Sequence, residues 1–237
     1  MDRIFIFDID GTLTPSRLRM TKEFAKFFDK WSEKNKYYLV TGSDLDKTKE
    51  QLPIAYIDRA EAIFTCCGNQ MWRDDESIYD NKFNPSKDLI KYLERKVLKS
   101  EYPNRYGNHI EDRGSMVNFS VVGRDCTQEQ REHYAKWDDK HQERKDFAWE
   151  IKERYPWLDA VVGGEISIDI YEKFKDKGQI VKDIRGKFEF FGDRLYPGGN
   201  DFAIQQEIVI QKRKGCKTHS VKTWRDTEEL LHSTICC

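Results

Sequence analysis

Apolar positions in this chain recur at two spacings, one of strands and one of helices. Residues 4–7 (IFIF) form a continuous apolar run that ends on Asp8, as expected of a short strand buried on both faces. From Thr21 onward, Phe24, Phe27, Phe28 and Trp31 fall at i, i+3, i+4 and i+7, which predicts a helix with one buried stripe. A second strand is predicted at 36–40 (KYYLV), a polar helix from Asp44 to about Leu52, and a third strand at 63–66. Strands alternating with helices predict a parallel sheet with ligands at the strands' carboxyl ends. Both Asp8 and Thr41 fall at such ends.

The texture changes near Tyr79. A helix is predicted at 87–98, then short alternating strands between His109 and Arg124 around Arg113-Gly114-Ser115. Thr127-x-x-Gln130 forms a capping box that opens one long helix, which Pro156 ends. Beyond it, 158–162, a Gly163-Gly164 turn and 166–170 read as an antiparallel hairpin. Ile166, Ile168 and Ile170 share one face, and Glu165, Ser167 and Asp169 share the other. The parallel style then resumes with a helix carrying Ile180, Val181 and Ile184, a strand at 187–191, a strand around Ser220-Val221 and a helix capped by Asp226. The predicted class is α/β: a Rossmann-like parallel-sheet core with an inserted α+β cap domain of antiparallel sheet plus helices. The core is assigned to residues 1–80 and 175–237, and the cap to 81–174.

Composition narrows what such a protein could do. Its 237 residues suffice for two modest domains. With 41 Lys plus Arg against 42 Asp plus Glu, the chain has no electrostatic footprint for nucleic acid or an acidic membrane. Aromatics at 13% supply core material despite 35% charged residues. No apolar run reaches membrane-spanning length, and the chain enters a strand at once without a basic segment and apolar signal core, so a cytosolic protein is expected. The six cysteines lack metal-ligand spacing and are expected as reduced thiols. The terminal Cys236-Cys237 looks like a double lipidation signal, but the small GTPase body that accompanies such signals is absent, so an ordinary tail is expected.

The chemistry starts in "FDIDGTLT". An aspartate closing a buried strand is costly unless a cation or hydrogen bonds hold it, and a second carboxylate at Asp10 points to a divalent metal, with oxygen ligands favouring Mg²⁺. A metal-held carboxylate can attack phosphorus and form an acyl phosphate while a neighbouring acid protonates the departing oxygen. The bland alternative is an acidic turn capping the next helix. Thr41 in "LVTGSD" offers a hydroxyl and turn amides to a phosphoryl group, unless Ser43 or Asp44 simply caps a helix. Lys177 in "FKDKG" could neutralise phosphoryl oxygens, or be a solvated helix start. Asp193 in "FFGDRLYPGGND" again sets an acid after an apolar strand, where it could complete a Mg²⁺ shell.

Taken in order, DxDGT, Thr41, Lys177 and Asp193 resemble the four motifs of the haloacid dehalogenase superfamily. "FDIDGTLTPSR", "TGSD", "VGRDCTQEQR", "GGEISIDIY", "DKGQ" and "FFGDRLYPGGND" further resemble eukaryotic-type phosphomannomutases, in that family's order over nearly the whole chain. The resemblance implies Asp8 as nucleophile and Asp10 as general acid/base. It implies Mg²⁺ held by Asp8, the backbone carbonyl of Asp10 and Asp193, and a phosphoryl group held by Thr41 or Ser43 with Lys177. It places Arg17, Arg113, Arg124, Arg131, Ser167 and Asp169 at substrate-binding positions.

Two phosphate sites are what a mutase needs, and arginine forks suit the non-reacting phosphate. The implied reaction interconverts mannose 6-phosphate and mannose 1-phosphate, primed by hexose 1,6-bisphosphate, with a homodimer through the cap and no nucleic acid or membrane partner. The family's "FRNGM" stands here as Asp112-Arg113-Gly114-Ser115-Met116 and its "ENG" as Cys66-Cys67-Gly68-Asn69, changes that bear on cap fit and sugar choice. Two other readings stay open: a sugar-phosphate phosphatase with the same nucleophile, and a catalytically silent sugar-phosphate-binding protein.

Overall fold

The computed structural model describes residues 3–235; Cys236-Cys237, and with it the lipidation question, lies outside the described residues. The elements in chain order are β1 (Ile4–Asp8), α1 (Lys22–Ser32), β2 (Lys36–Val40), α2 (Leu45–Gln51), α3 (Ile54–Asp58), β3 (Ile63–Thr65), β4 (Gln70–Arg73) and β5 (Glu76–Asp80). Next come α4 (Lys87–Lys99), β6 (Ile110–Asp112), β7 (Val117–Phe119), α5 (Gln128–His141), α6 (Glu143–Arg154), β8 (Leu158–Gly163) and β9 (Ser167–Glu172). The chain closes with β10 (Phe188–Gly192), α7 (Phe202–Ile210), β11 (Lys217–Ser220) and α8 (Trp224–Ile235). Two units result: residues up to Asp80 with those from Asp176 on, and Asn81–Lys175.

The first unit is built on a seven-stranded sheet ordered β11-β10-β1-β2-β3-β4-β5. From β11 to β3 the strands are parallel, and β4 and β5 turn back antiparallel at the edge. Position in the sheet explains why residues 4–7 are apolar throughout, since a central parallel strand is covered on both faces. Phe5 and Phe7 enter an aromatic layer with Phe24, Phe28 and Trp31 of α1 and Trp224 of α8, while Ile6 joins Phe64, Phe188, Phe190 and Ile204 on the other face. Thr21 caps α1 by accepting from the Phe24 amide at 3.2 Å. Only Phe27 of the stripe stays half-buried, its ring tilted by 43° against that of His232 with centroids 4.4 Å apart.

Several elements differ from their sequence reading. The segment carrying Ile180 and Val181 is a 3-10 helix, Lys177–Lys182, rather than an α-helix. The long helix after Thr127 is two helices, because Gln142 adopts φ +56° and the Asp138 carboxylate accepts from the amide of Arg144, starting α6 afresh. Asp226 does not cap α8 alone: it lies in the first turn and accepts from the amides of Lys222 and Thr223, while the Thr223 hydroxyl accepts from Arg225. The last strand lies a little earlier than expected, at Lys217–Ser220, and α3 and the β4-β5 hairpin have no counterpart in the sequence reading.

The second unit has a four-stranded antiparallel sheet, β6-β7-β9-β8, with α4, α5 and α6. Ile166, Ile168 and Ile170 join Leu93, Val117, Phe119 and Ile151 in its apolar core, as the alternation predicts. Ser167 and Asp169 alternate with them but are also buried, at 5% and 3% exposure. Their face is therefore a polar interior: Asp169 accepts from Asn118 Nδ2 at 2.7 Å and Ser167 donates to the Gly163 carbonyl at 3.1 Å. No helix among the described residues is long and apolar enough to cross a membrane.

Candidate active site

Parallel register gathers the predicted acids. Phe7 pairs with Phe191 and Asp8 with Val40, so Asp8 ends its strand between Thr41 on one side and Gly192-Asp193 on the other. Lys177 opens the 3-10 helix, where the Asp176 carboxylate fixes the turn by accepting from the Gly178 amide. Its ammonium donates to Asp8 Oδ1 at 2.5 Å and to Asp201 Oδ1 at 2.7 Å. At 1% exposure, Lys177 is not a solvated helix start. Asp201 had no role in the sequence reading, because an acid at the start of a helix ordinarily reads as a cap. Here it makes no side-chain cap bond: Oδ1 holds Lys177 and Oδ2 accepts from the Arg194 amide at 3.0 Å.

Carboxylate oxygens of Asp8, Asp193 and Asp201 lie within 4.8 Å of one another. Two glycines permit this approach. A Cβ on Gly11, whose φ is +82°, would stand 2.7 Å from Asp193 Oδ2, and one on Gly192 would stand 2.5 Å from Asp201 Oδ2. Burial pushes the Asp8 carboxyl well above the usual carboxylate range; Asp201 and Asp193 add to this against the opposing pull of Lys177. Burial and then Asp201 raise Asp193 to about 7, with Asp10 contributing in the same sense. Burial also works against the charged form of Lys177, but Asp201 and Asp8 override it and hold the ammonium above its ordinary value. Three clustered acids thus stand against two cations, Lys177 and, at 3.7 Å from Asp193, Arg194. A net-negative cluster of hard oxygen donors fits a divalent cation of the Mg²⁺ class.

The Asp10 carboxylate is engaged differently. Its Oδ1 accepts from the backbone amide of Arg17 at 2.5 Å and from Gln51 Nε2 at 2.9 Å, and it is not among the three clustered carboxylates. Only its backbone carbonyl remains as the expected metal ligand, and Asp201 is the third clustered acid. Thr41 and Ser43 are both buried. The Thr41 hydroxyl accepts from the Ser43 amide at 3.0 Å, and Asp44, not Ser43, caps α2 by accepting from Lys47. The amides of Cys67 and Cys66 donate to the carbonyls of Thr41 and Ser43, tying this loop to the end of β3.

The remaining predicted residues, apart from Arg17, belong to the second unit. Arg113 donates to Glu111 Oε2 through Nε at 2.9 Å and through its terminal nitrogen at 2.5 Å, and Arg124 Nε lies 3.5 Å from the same oxygen. Arg131 pairs with Glu165 at 3.2 Å. All three guanidinium-bearing side chains are largely buried. Asp169 and Ser167 lie on β9 with the contacts given above.

A family model described as eukaryotic phosphomannomutase matches residues 24–236, beginning after the Asp8–Asp10 segment. A phosphomannomutase of Saccharomyces cerevisiae is 31% identical over 242 residues, covering 97% of this chain and 93% of that protein. One from Arabidopsis thaliana is 33% identical over 217 residues, covering 86% and 87%. Among solved structures, a haloacid dehalogenase-like hydrolase from Bacteroides thetaiotaomicron superposes with a TM-score of 0.62 over 99% of this chain and all of that one, at 11% identity, a likeness of fold.

Proposed function

The chain belongs to the eukaryotic phosphomannomutase family, and from that membership we propose that it interconverts mannose 1-phosphate and mannose 6-phosphate through a phosphorylated Asp8. The observation that carries the reading is the buried Asp8 carboxylate at the end of β1, bonded to Lys177 and clustered with Asp193 and Asp201. In the proposed cycle an Asp8 oxygen attacks the phosphorus of a hexose 1,6-bisphosphate, and the bond from phosphorus to the sugar oxygen breaks. Asp10 gives that oxygen its proton. In the reverse half, Asp10 takes the proton from a hydroxyl of the hexose monophosphate as that hydroxyl attacks the aspartyl phosphate.

Lys177, with Thr41 or Ser43, holds the transferring phosphoryl oxygens. Asp8, Asp193, Asp201 and the Asp10 carbonyl are the groups that would hold Mg²⁺, which when bound supplies positive charge to the phosphoryl group. Arg17, Arg113, Arg124, Arg131, Ser167 and Asp169 would bind the sugar and the non-reacting phosphate, a task for which arginine forks are suited. Cytosolic residence belongs to the same proposal.

The test is mass spectrometry of the Asp8 peptide after brief exposure to hexose 1,6-bisphosphate and Mg²⁺. The account expects a phosphorylated aspartate at position 8 in the wild type and none in Asp8→Asn. Label on another residue, or transfer without any labelled intermediate, would contradict it.

A further inference from the structure

The group that aims Asp10 is not among the residues with an assigned role. Gln51 closes α2 and is 2% exposed, in a part of the helix otherwise made of charged and polar residues. Its Nε2 donates to Asp10 Oδ1 at 2.9 Å, with Thr14 Oγ1 at 3.3 Å and the Leu18 carbonyl at 3.4 Å as further acceptors. Its backbone carbonyl accepts from the Met20 amide at 2.8 Å, fixing the end of α2 against the 15–20 loop. The amide oxygen, Oε1, is buried and has no hydrogen-bond partner among the described residues. A buried acceptor left unsatisfied is destabilising, and native proteins retain few of them. The three acceptors around Nε2 account for the orientation: turning the amide over would satisfy none of them and would set Oε1 against the Asp10 carboxylate.

We propose that Gln51 is a positioning residue for the acid/base step: it fixes the Asp10 carboxyl group through Oδ1, leaving Oδ2 to exchange the proton with the sugar oxygen. The inference rests on the function proposed above. The Arg17 amide, 2.5 Å from the same Oδ1, is the second clamp, and it comes from a residue with φ +59°, a left-handed conformation uncommon for a side chain of that size. Two donors on one oxygen fix the carboxyl group in direction as well as place. A backbone amide alone would leave it free to swing about that single bond. The atoms balance simply: when the phosphorus–sugar oxygen bond breaks, the proton leaves Asp10 Oδ2 for the sugar oxygen, and Asp10 remains as a carboxylate that both donors already hold.

The variants Gln51→Leu and Gln51→Glu test this in the full chain with Mg²⁺. The first removes the donor and the second replaces it with a carboxylate facing Asp10. Two first-turnover rates are compared: phosphorylation of Asp8 by hexose 1,6-bisphosphate, whose alkoxide leaving group needs a proton, and the burst of p-nitrophenolate from p-nitrophenyl phosphate, whose leaving group needs none. Both variants are expected to slow the first by about 10- to 100-fold, the scale of general acid catalysis, with the second changed less than about twofold. Thermal stability of Gln51→Leu is expected to match or exceed the wild type, because the substitution also removes the unsatisfied oxygen. Equal losses with both donors, or no loss with either, would overturn the role of Gln51. Wild-type protein that reacts with the aryl phosphate and never with the bisphosphate would instead remove the mutase reading, a failure visible before any variant is made.

Discussion

At Asp8 the fold places a carboxylate where it has little water and two other acids for neighbours, and Lys177 offsets only part of that penalty. Replacing Asp8 by Asn keeps the shape and removes the nucleophile, so turnover is expected to fall by at least about 10³-fold in a protein that stays folded by circular dichroism. Wild-type turnover in that variant would exclude Asp8 as nucleophile. The raised carboxyl values of Asp8 and Asp193 also make a pH prediction. Each group favours its protonated form in the folded protein, so it costs nothing in acid, where both states are protonated. The cost grows as pH rises from about 4, where the unfolded chain ionises first, and for Asp193 it is complete above about 7. In EDTA, Tm is therefore expected to fall between about pH 5 and 8, and saturating Mg²⁺ should remove most of that fall by pairing the carboxylates. Apparent Mg²⁺ affinity should weaken below about pH 7, as protons compete at Asp193. A Tm in EDTA that rises across the interval would contradict this account of the cluster.

Among the elements, β1 and α1 hold the site in place through an aromatic layer. Phe28 meets Phe7, Tyr37 and Tyr56 edge-on at 5.3 to 5.8 Å and stacks on Trp31 at 5.4 Å. Phe28→Ala should cost about 3–5 kcal/mol of unfolding free energy, measured by urea denaturation. A loss below about 1 kcal/mol would mean that the layer is not close-packed. These elements were the legible ones, since their apolar spacing is long and regular and their caps are local. The 3-10 helix at Lys177, the break at Gln142 and the β4-β5 hairpin were not, because each is decided by a few hydrogen bonds with no periodicity behind them. The site shows the same division. Asp8, Thr41 and Asp193 stand out as polar residues placed directly after apolar runs, whereas Lys177 lies in a polar stretch and is informative only through its place in the order of the motifs. Asp201 and Gln51 look like ordinary helix-end residues, and only the direction of their side chains reveals what they hold.

On the scale of the whole molecule, a mutase differs from a phosphatase in needing to hold a sugar with a phosphate at each end. In the proposed function Arg113 and Arg124, whose buried guanidinium groups both reach the Glu111 carboxylate, bind the non-reacting phosphate. Arg124→Ala is expected to lower kcat/KM for mannose 1-phosphate by about 10- to 100-fold, the scale of one hydrogen bond between charged groups. Its p-nitrophenolate burst should stay within about twofold of the wild type, because a donor with one phosphate does not use the second site. Equal losses on both donors would place Arg124 outside substrate recognition. The measurement that decides the central claim is phosphorus NMR of the protein with Mg²⁺ and mannose 1-phosphate, run with and without a trace of hexose 1,6-bisphosphate. The account predicts that the bisphosphate starts the conversion to mannose 6-phosphate and that little inorganic phosphate appears. Accumulation of inorganic phosphate alone, with or without the bisphosphate, would contradict it and make the protein a phosphatase built on a mutase frame.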